Sequence, residues 1–183
     1  MMEDLKPATG RPVPMRVRIV AFLWDYLLIC GFLVLLIGVA SLARPVLAPL
    51  FQAGPLRAEL TGFLFLTLPV YLYFAISEGS RRHATWGKRK TGIVVAGVRG
   101  QPIGMGASLG RSALKFLPWE LAHFTIWHMT LSPSYPDAVL YTLLAVVYGL
   151  ALLYLVGPLW NKRRQTLYDA AAGTVIQFAE IVE

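Results

Sequence analysis

One cysteine, three histidines and ten acidic residues leave this 183-residue chain poorly equipped for several kinds of chemistry. A lone thiol, Cys30, forms no internal disulfide and carries no information about redox compartment. Serines and threonines are scattered without the histidine–acid partners that would mark a nucleophile, so an enzyme is not expected. "ATWGKRKTG" has glycine and lysine but lacks the phosphate-loop spacing, which excludes a nucleotide site of that type. "ELAH" places Glu120 and His123 three residues apart on one helical face. Di-metal bundles need a second copy of that motif and two further glutamates. No metal site and no cofactor are therefore expected, and Glu120 with His123 is read as a polar pair or the lining of a polar path. Charge of either sign is also scarce. Only 15% of residues are Asp, Glu, Lys or Arg, against about 25% in soluble domains.

Apolar residues fill the gap. They make up 56% of the chain and give a mean hydropathy of +0.58. They are gathered into runs of about 20, enough to cross a hydrocarbon core of ~30 Å. The clearest runs are Ile19 to Ala43, Leu60 to Ser77 and Ala138 to Trp160. The first is too long for a cleaved signal core and is read as an uncleaved anchor. A proline-rich stretch, Arg44 to Glu59, reads as a break between helices. Pro69 is expected to kink the second run, which neighbouring helices tolerate in lipid.

Three crossings conflict with the charge distribution. Basic residues number four before the first run, eight from Arg81 to Lys115 and three after Trp160. Cytoplasmic loops collect lysine and arginine. With three crossings, Lys162, Arg163 and Arg164 would lie outside. A fourth segment at Ala113 to Leu131, spanning or re-entrant, puts 15 of the 17 on one side. "SPSYPD", Ser132 to Asp137, becomes an external turn. The expected architecture is an all-α membrane protein: a four-segment helical bundle, multi-pass in the cell membrane, with both termini cytoplasmic. Residues 1–18 form a cytoplasmic tail, 19–160 the transmembrane domain with cytoplasmic loop 78–112, and 161–183 a cytoplasmic C-terminal segment.

Two stretches break the helical pattern. "GIVVAGVRGQPIG", Gly92 to Gly104, reads as a strand entering a small cytoplasmic β-hairpin. "GTVIQFAEIV", Gly173 to Val182, is a second β-prone segment, expected to pair with the first.

Together, "RIVAFLWD", "ATWGKRKTGIVVAGVRGQPI" and "NKRRQTLYDAAAGTVI" resemble the RDD family of membrane proteins. The resemblance runs from about Arg16 to Ile176. It implies that the arginine and two aspartates of the family's name correspond here to Arg18, Asp25 and Asp169. Lys90 stands where that family usually has an apolar residue, and Tyr168 where histidine is common. The resemblance implies membership more than mechanism, with transport of unidentified ligands proposed for the family.

Asp25 is the residue that most needs an explanation. A carboxylate in hydrocarbon costs about 2.5–3.5 kcal/mol on insertion scales and persists where protein shelters it. Arg18 and Asp25 share a helical face ~10.5 Å apart, long for a direct ion pair. Arg18, Asp25 and Asp169 are expected to form a polar cluster near the inner leaflet that binds an ion or locks loops. Lys88, Arg89, Arg163 and Arg164 are expected to contact lipid headgroups or hold the loops. Two functions stay open: transport of a cation, proton or small solute with Asp25 as the titratable group, or a non-transporting adaptor or assembly subunit. The expected partners are the lipid bilayer, anionic lipids and a second copy or another membrane protein. The basic residues flank the apolar runs, so nucleic acid is not expected.

Overall fold

A computed structural model of the chain describes residues 5–7, 12–131 and 135–181. It is mostly helical, with one small sheet. Helix α1 covers Met15–Leu42, α2 Arg44–Gln52 and α3 Pro55–Gly62. A π-helical segment, Phe63–Thr67, leads directly into α4, Leu68–Gly79. Then come α5 (Trp86–Lys90), α6 (Met105–Thr130), α7 (Asp137–Trp160) and α8 (Leu167–Ala171). Strands β1 (Leu5–Pro7), β2 (Ile93–Gly97) and β3 (Thr174–Ile181) complete the chain.

Among the described residues, three helical stretches are long and apolar enough to cross a membrane: Met15–Leu42, Pro55–Gly79 and Asp137–Trp160. Their outward side chains are apolar and uncovered, with Val34 at 72% and Tyr148 at 70% exposure. Such surface is stable against acyl chains and costly in water. The second stretch begins earlier than the apolar run, because Pro55 occupies the first turn of α3, where its missing N–H would be unpaired in any case. Pro69 is absorbed by the π segment just before it: the Leu68 N–H reaches Phe63 O, a wider turn that accommodates the lost donor.

Two expectations are corrected in part. The proline-rich stretch after α1 is not wholly irregular. Arg44–Gln52 is a helix with proline in its first turn, and Gly54, at φ +112°, makes the turn into α3. The polar loop is also shorter than residues 78–112, since α6 starts at Met105. Its first turns are polar because they pack inside the protein. Ser108 Oγ donates to Ala75 O at 2.8 Å. A Cβ on Gly79 would lie 3.1 Å from Met105 Cα, so that glycine permits the close approach. The stretch 113–131 falls within α6, but α6 does not have the hydropathy of the three spans. Ser132–Ser134 of the external turn lie outside the described residues.

The two β-prone segments pair as expected. β2 and β3 are antiparallel, Ile93 opposite Phe178 and Gly97 opposite Thr174. The local hairpin is reduced to one bridge, Ala96 with Pro102. The sheet partner comes instead from the chain's far end, and β1 adds on the other side in the order β1-β3-β2. The stretch 1–18 therefore includes a strand and the start of α1 rather than being only a tail. β2 is buried throughout, which fits its continuous apolar run. Ile93 and Ile176 pack with Val13 and Ala21 in a small apolar core.

The chain divides into two compact units. One contains the N-terminal part through Ile29, Tyr71–Lys115 and Leu153 onward; the other contains Cys30–Val70 and Phe116–Leu152. The first holds the sheet and the RDD-like residues. The second holds α2, α3 and the later part of α6, where the Trp119 indole N–H donates to Thr67 Oγ1 at 3.1 Å.

A buried charge network as candidate functional site

Asp25 lies in the first unit and is 2% exposed. It is sheltered by protein, but Arg18 is not its partner. Its Oδ1 accepts from the Tyr73 hydroxyl and from the Gly87 backbone N–H, both at 2.7 Å. Its Oδ2 accepts from Thr85 Oγ1 at 2.6 Å. Thr85 is the N-cap of α5, so one carboxylate on α1 holds the entry to that short helix. The Tyr73 hydroxyl in turn accepts from the Trp86 N–H at 3.0 Å. Gly87 is required at this junction, because a Cβ there would stand 2.0 Å from Ala21 O and 2.9 Å from Asp25 Cγ.

A second set of charges is built on residues that stand far apart in sequence. Glu78 at the end of α4 is fully buried. Its Oε1 accepts from Lys88 Nζ at 2.7 Å, and its Oε2 takes a short ionic hydrogen bond from Arg111 Nη1. Arg111 also reaches Asp169, with Nε and Nη2 at 2.8 and 2.7 Å from Oδ1. Asp169 is fully buried and closes a capping box with Thr166 at the start of α8. Its Oδ2 accepts from the Thr166 hydroxyl at 2.8 Å, and Thr174 Oγ1 reaches Oδ1 at 3.3 Å. The chain of contacts therefore joins α4, α5, α6, α8 and β3.

Aromatic faces complete the network. The Arg111 guanidinium stacks over Tyr168 at 5.0 Å, and Lys115 Nζ lies 3.1 Å from the centre of the Phe74 ring. Burial pushes the Tyr168 phenol up to about 12, and the adjoining Asp169 carboxylate adds to the effect. Tyrosine at this position is thus a neutral wall beside an ion pair.

Arg18 is placed differently. It is 9% exposed, and its Nε and Nη2 are buried without a hydrogen-bond partner among the described residues. It lines a cavity of about 260 Å³ in the first unit together with Asp25, Lys88, Arg111 and Lys115. Of the other basic residues expected to act at the surface, Arg89 and Arg163 are exposed and Arg164 is half-buried. Lys88 is buried and held by Glu78. The one basic position of "GKR" that enters the protein is thus tied to an acidic partner rather than exposed.

Glu120 and His123 belong to the second unit. Their closest charged atoms are 3.7 Å apart, beyond hydrogen-bond length. Glu120 Oε1 and Glu59 Oε2 are both buried without a hydrogen-bond partner among the described residues. No group of three or more histidine, cysteine or acidic residues there is arranged to hold a metal ion, among the described residues.

The sequence singles out Arg18, Asp25 and Asp169, but not the residues that hold the two aspartates. Glu78 and Arg111 read in sequence only as charges of the polar loop, and Lys115 lies in the Ala113–Leu131 segment. One signal was available: Arg111 and Lys115 are four apart at the start of a helix, hence on one face. The profile of the RDD family aligns with residues 12–173. No curated protein and no solved structure matches.

Proposed function

Because the chain belongs to the RDD family and its buried Asp25 and Asp169 are both held by donors of the protein itself, we propose that it is a non-transporting membrane adaptor or assembly subunit that binds anionic lipid. The observation that carries this reading is the saturation of Asp25. Three protein donors from Tyr73, Thr85 and Gly87 occupy its oxygens. A carboxylate that loads and releases a cation must give up such partners in each cycle. Hydrogen bonds to a charged group contribute roughly 1.5–3 kcal/mol each. Here they fasten α5 to α1 instead. Glu78 and Asp169 are likewise committed to Lys88 and Arg111.

In this reading the protein is multi-pass in the cell membrane with both termini cytoplasmic. The sheet and the basic segment around α5 then face the cytoplasm. α6, 26 residues long, measures ~39 Å at 1.5 Å per residue and is long enough to be the fourth crossing. That arrangement keeps Lys162, Arg163 and Arg164 on the side that lysine and arginine favour.

Purified protein in sealed vesicles tests the proposal. No cation flux is expected under an imposed pH gradient, and Asp25→Asn is expected to lower stability and abundance. Flux in the wild type that Asp25→Asn abolishes at unchanged abundance refutes it. One observation favours transport as a second reading. The Glu59 and Glu120 oxygens of the second unit that accept no hydrogen bond among the described residues are better placed than Asp25 to exchange a proton. Flux that survives Asp25→Asn but is lost in Glu120→Gln would support that alternative.

A further inference from the structure

The unsatisfied guanidinium of Arg18 sits in a cavity whose walls carry more positive than negative charge. Four basic side chains, Arg18, Lys88, Arg111 and Lys115, line it, with Asp25 as the one carboxylate. Asp25 already receives three hydrogen bonds. Glu78 and Asp169, the acids that hold Lys88 and Arg111, are fully buried and taken. A buried guanidinium nitrogen without an acceptor costs the full desolvation of that donor. Arg18 has two such nitrogens, and it is more than nine-tenths buried.

The mouth of the cavity has the opposite character. Ile19, Phe22 and Leu155 line it and are at the same time 48, 56 and 64% exposed. These residues belong to α1 and α7, two of the helices apolar enough to cross a membrane. At ~30 Å³ per water, 260 Å³ has room for a headgroup-sized anion but not for a whole lipid. An alkyl chain attached to that anion would leave over the apolar rim into the acyl layer.

We infer that the Arg18 cavity binds the anionic head of an amphiphile, a phosphate or carboxylate joined to an alkyl chain, with the head on Arg18 and the chain across Ile19, Phe22 and Leu155. The inference rests on the adaptor reading above and gives its lipid ligand a place. The head supplies the acceptors that Arg18 Nε and Nη2 lack, in the paired geometry that a guanidinium offers to an oxyanion. The chain accounts for the apolar rim, which a free inorganic anion would not use.

Thermal unfolding in nanodiscs tests it. Discs of phosphatidylcholine alone are compared with discs that also contain phosphatidic acid, and with phosphatidylcholine discs supplied with inorganic phosphate. Phosphatidic acid is expected to raise the wild-type Tm by roughly 5 °C, and inorganic phosphate to leave it unchanged. Arg18→Gln should lose the lipid-dependent rise, whereas Arg16→Gln, an exposed position outside the cavity, should keep it. Should Arg18→Gln fail to fold, Leu155→Trp narrows the rim at an exposed position and is expected to lose the rise with Arg18 intact. A phosphatidic acid carrying a diazirine in its chain should label peptides that contain Ile19, Phe22 or Leu155.

A rise that persists in both Arg18→Gln and Leu155→Trp overturns this site while leaving lipid binding by the adaptor in place. A rise reproduced by phosphate alone overturns the amphiphile as ligand. Cation flux together with an intact, Arg18-dependent rise overturns the adaptor reading and leaves the site standing. Absence of any rise in the wild type overturns the site and the anionic-lipid ligand together.

Discussion

Replacing Gly87 by alanine would place a methyl group 2.0 Å from Ala21 O and 2.9 Å from both Asp25 Cγ and Asp25 N. None of these atoms is the free end of a flexible side chain. Two belong to the backbone of α1, and the third is a carboxyl carbon fixed by three donors. The clash is relieved only if α5 moves away from α1. That movement lengthens the 2.7 Å bond from Gly87 N–H to Asp25 and draws the Thr85 hydroxyl, now at 2.6 Å, with it. Overpacking costs about 1–3 kcal/mol, and one hydrogen bond to a charged group adds roughly 1.5–3. The sum, about 2.5–6 kcal/mol, is a large share of a typical stability of about 5–15 kcal/mol. Gly110→Ala in α6 is the matched control. It meets nothing within 4 Å, and alanine is favoured over glycine by about 1 kcal/mol in a helix. Denaturant unfolding in a fixed detergent should show Gly87→Ala strongly destabilised and Gly110→Ala unchanged or slightly improved. Hydrogen exchange should show α5 amides losing protection in Gly87→Ala first. Equal stability of Gly87→Ala and wild type would refute the claim that Asp25 works as a tie between α1 and α5.

The charge network predicts an asymmetry between the two ends of an ion pair. Glu78→Gln removes the negative charge shared by buried Lys88 and Arg111 and is expected to cost about 3–5 kcal/mol in unfolding experiments. Lys88→Met removes one cation and leaves Glu78 with Arg111, so the loss should be clearly smaller, and Lys88→Met should recover part of the loss when added to Glu78→Gln. A topology reporter fused after Glu183 should be active only in its cytoplasm-reporting form. An external signal there would remove α6 from the count of crossings.

How far the sequence went is best judged from individual residues. The three apolar helices were legible because an 18-residue hydropathy average needs no knowledge of partners. The pairing of β2 with β3 was legible because "GIVVAG" and "GTVIQF" are rich in β-branched residues and bounded by glycine. The strand Leu5–Pro7 was not, since three residues next to a proline carry no usable period. The early start of α6 was also hidden. "MGASLGRSALK" reads as a polar linker until Ser108 and Arg111 are known to face Ala75, Glu78 and Asp169.

The site shows the same division in sharper form. A carboxylate within an apolar run announces that it is sheltered, because the hydrocarbon leaves no other stable option. It does not announce by what. Seven-residue spacing puts Arg18 on the face of Asp25, but their ~10.5 Å separation along the axis leaves room for another segment to enter, and Thr85-Trp86-Gly87 does so. Asp169 then takes Arg111 rather than Arg18. Those two exchanges are linked. Once neutral donors hold Asp25 and Arg111 holds Asp169, the trio of one arginine and two aspartates contains two satisfied acids and one unsatisfied base. The surplus therefore falls on Arg18, which lines the cavity beside the satisfied Asp25. An ion carrier built on the acids would need them to be the unsatisfied members, and the geometry distributes the deficit the other way.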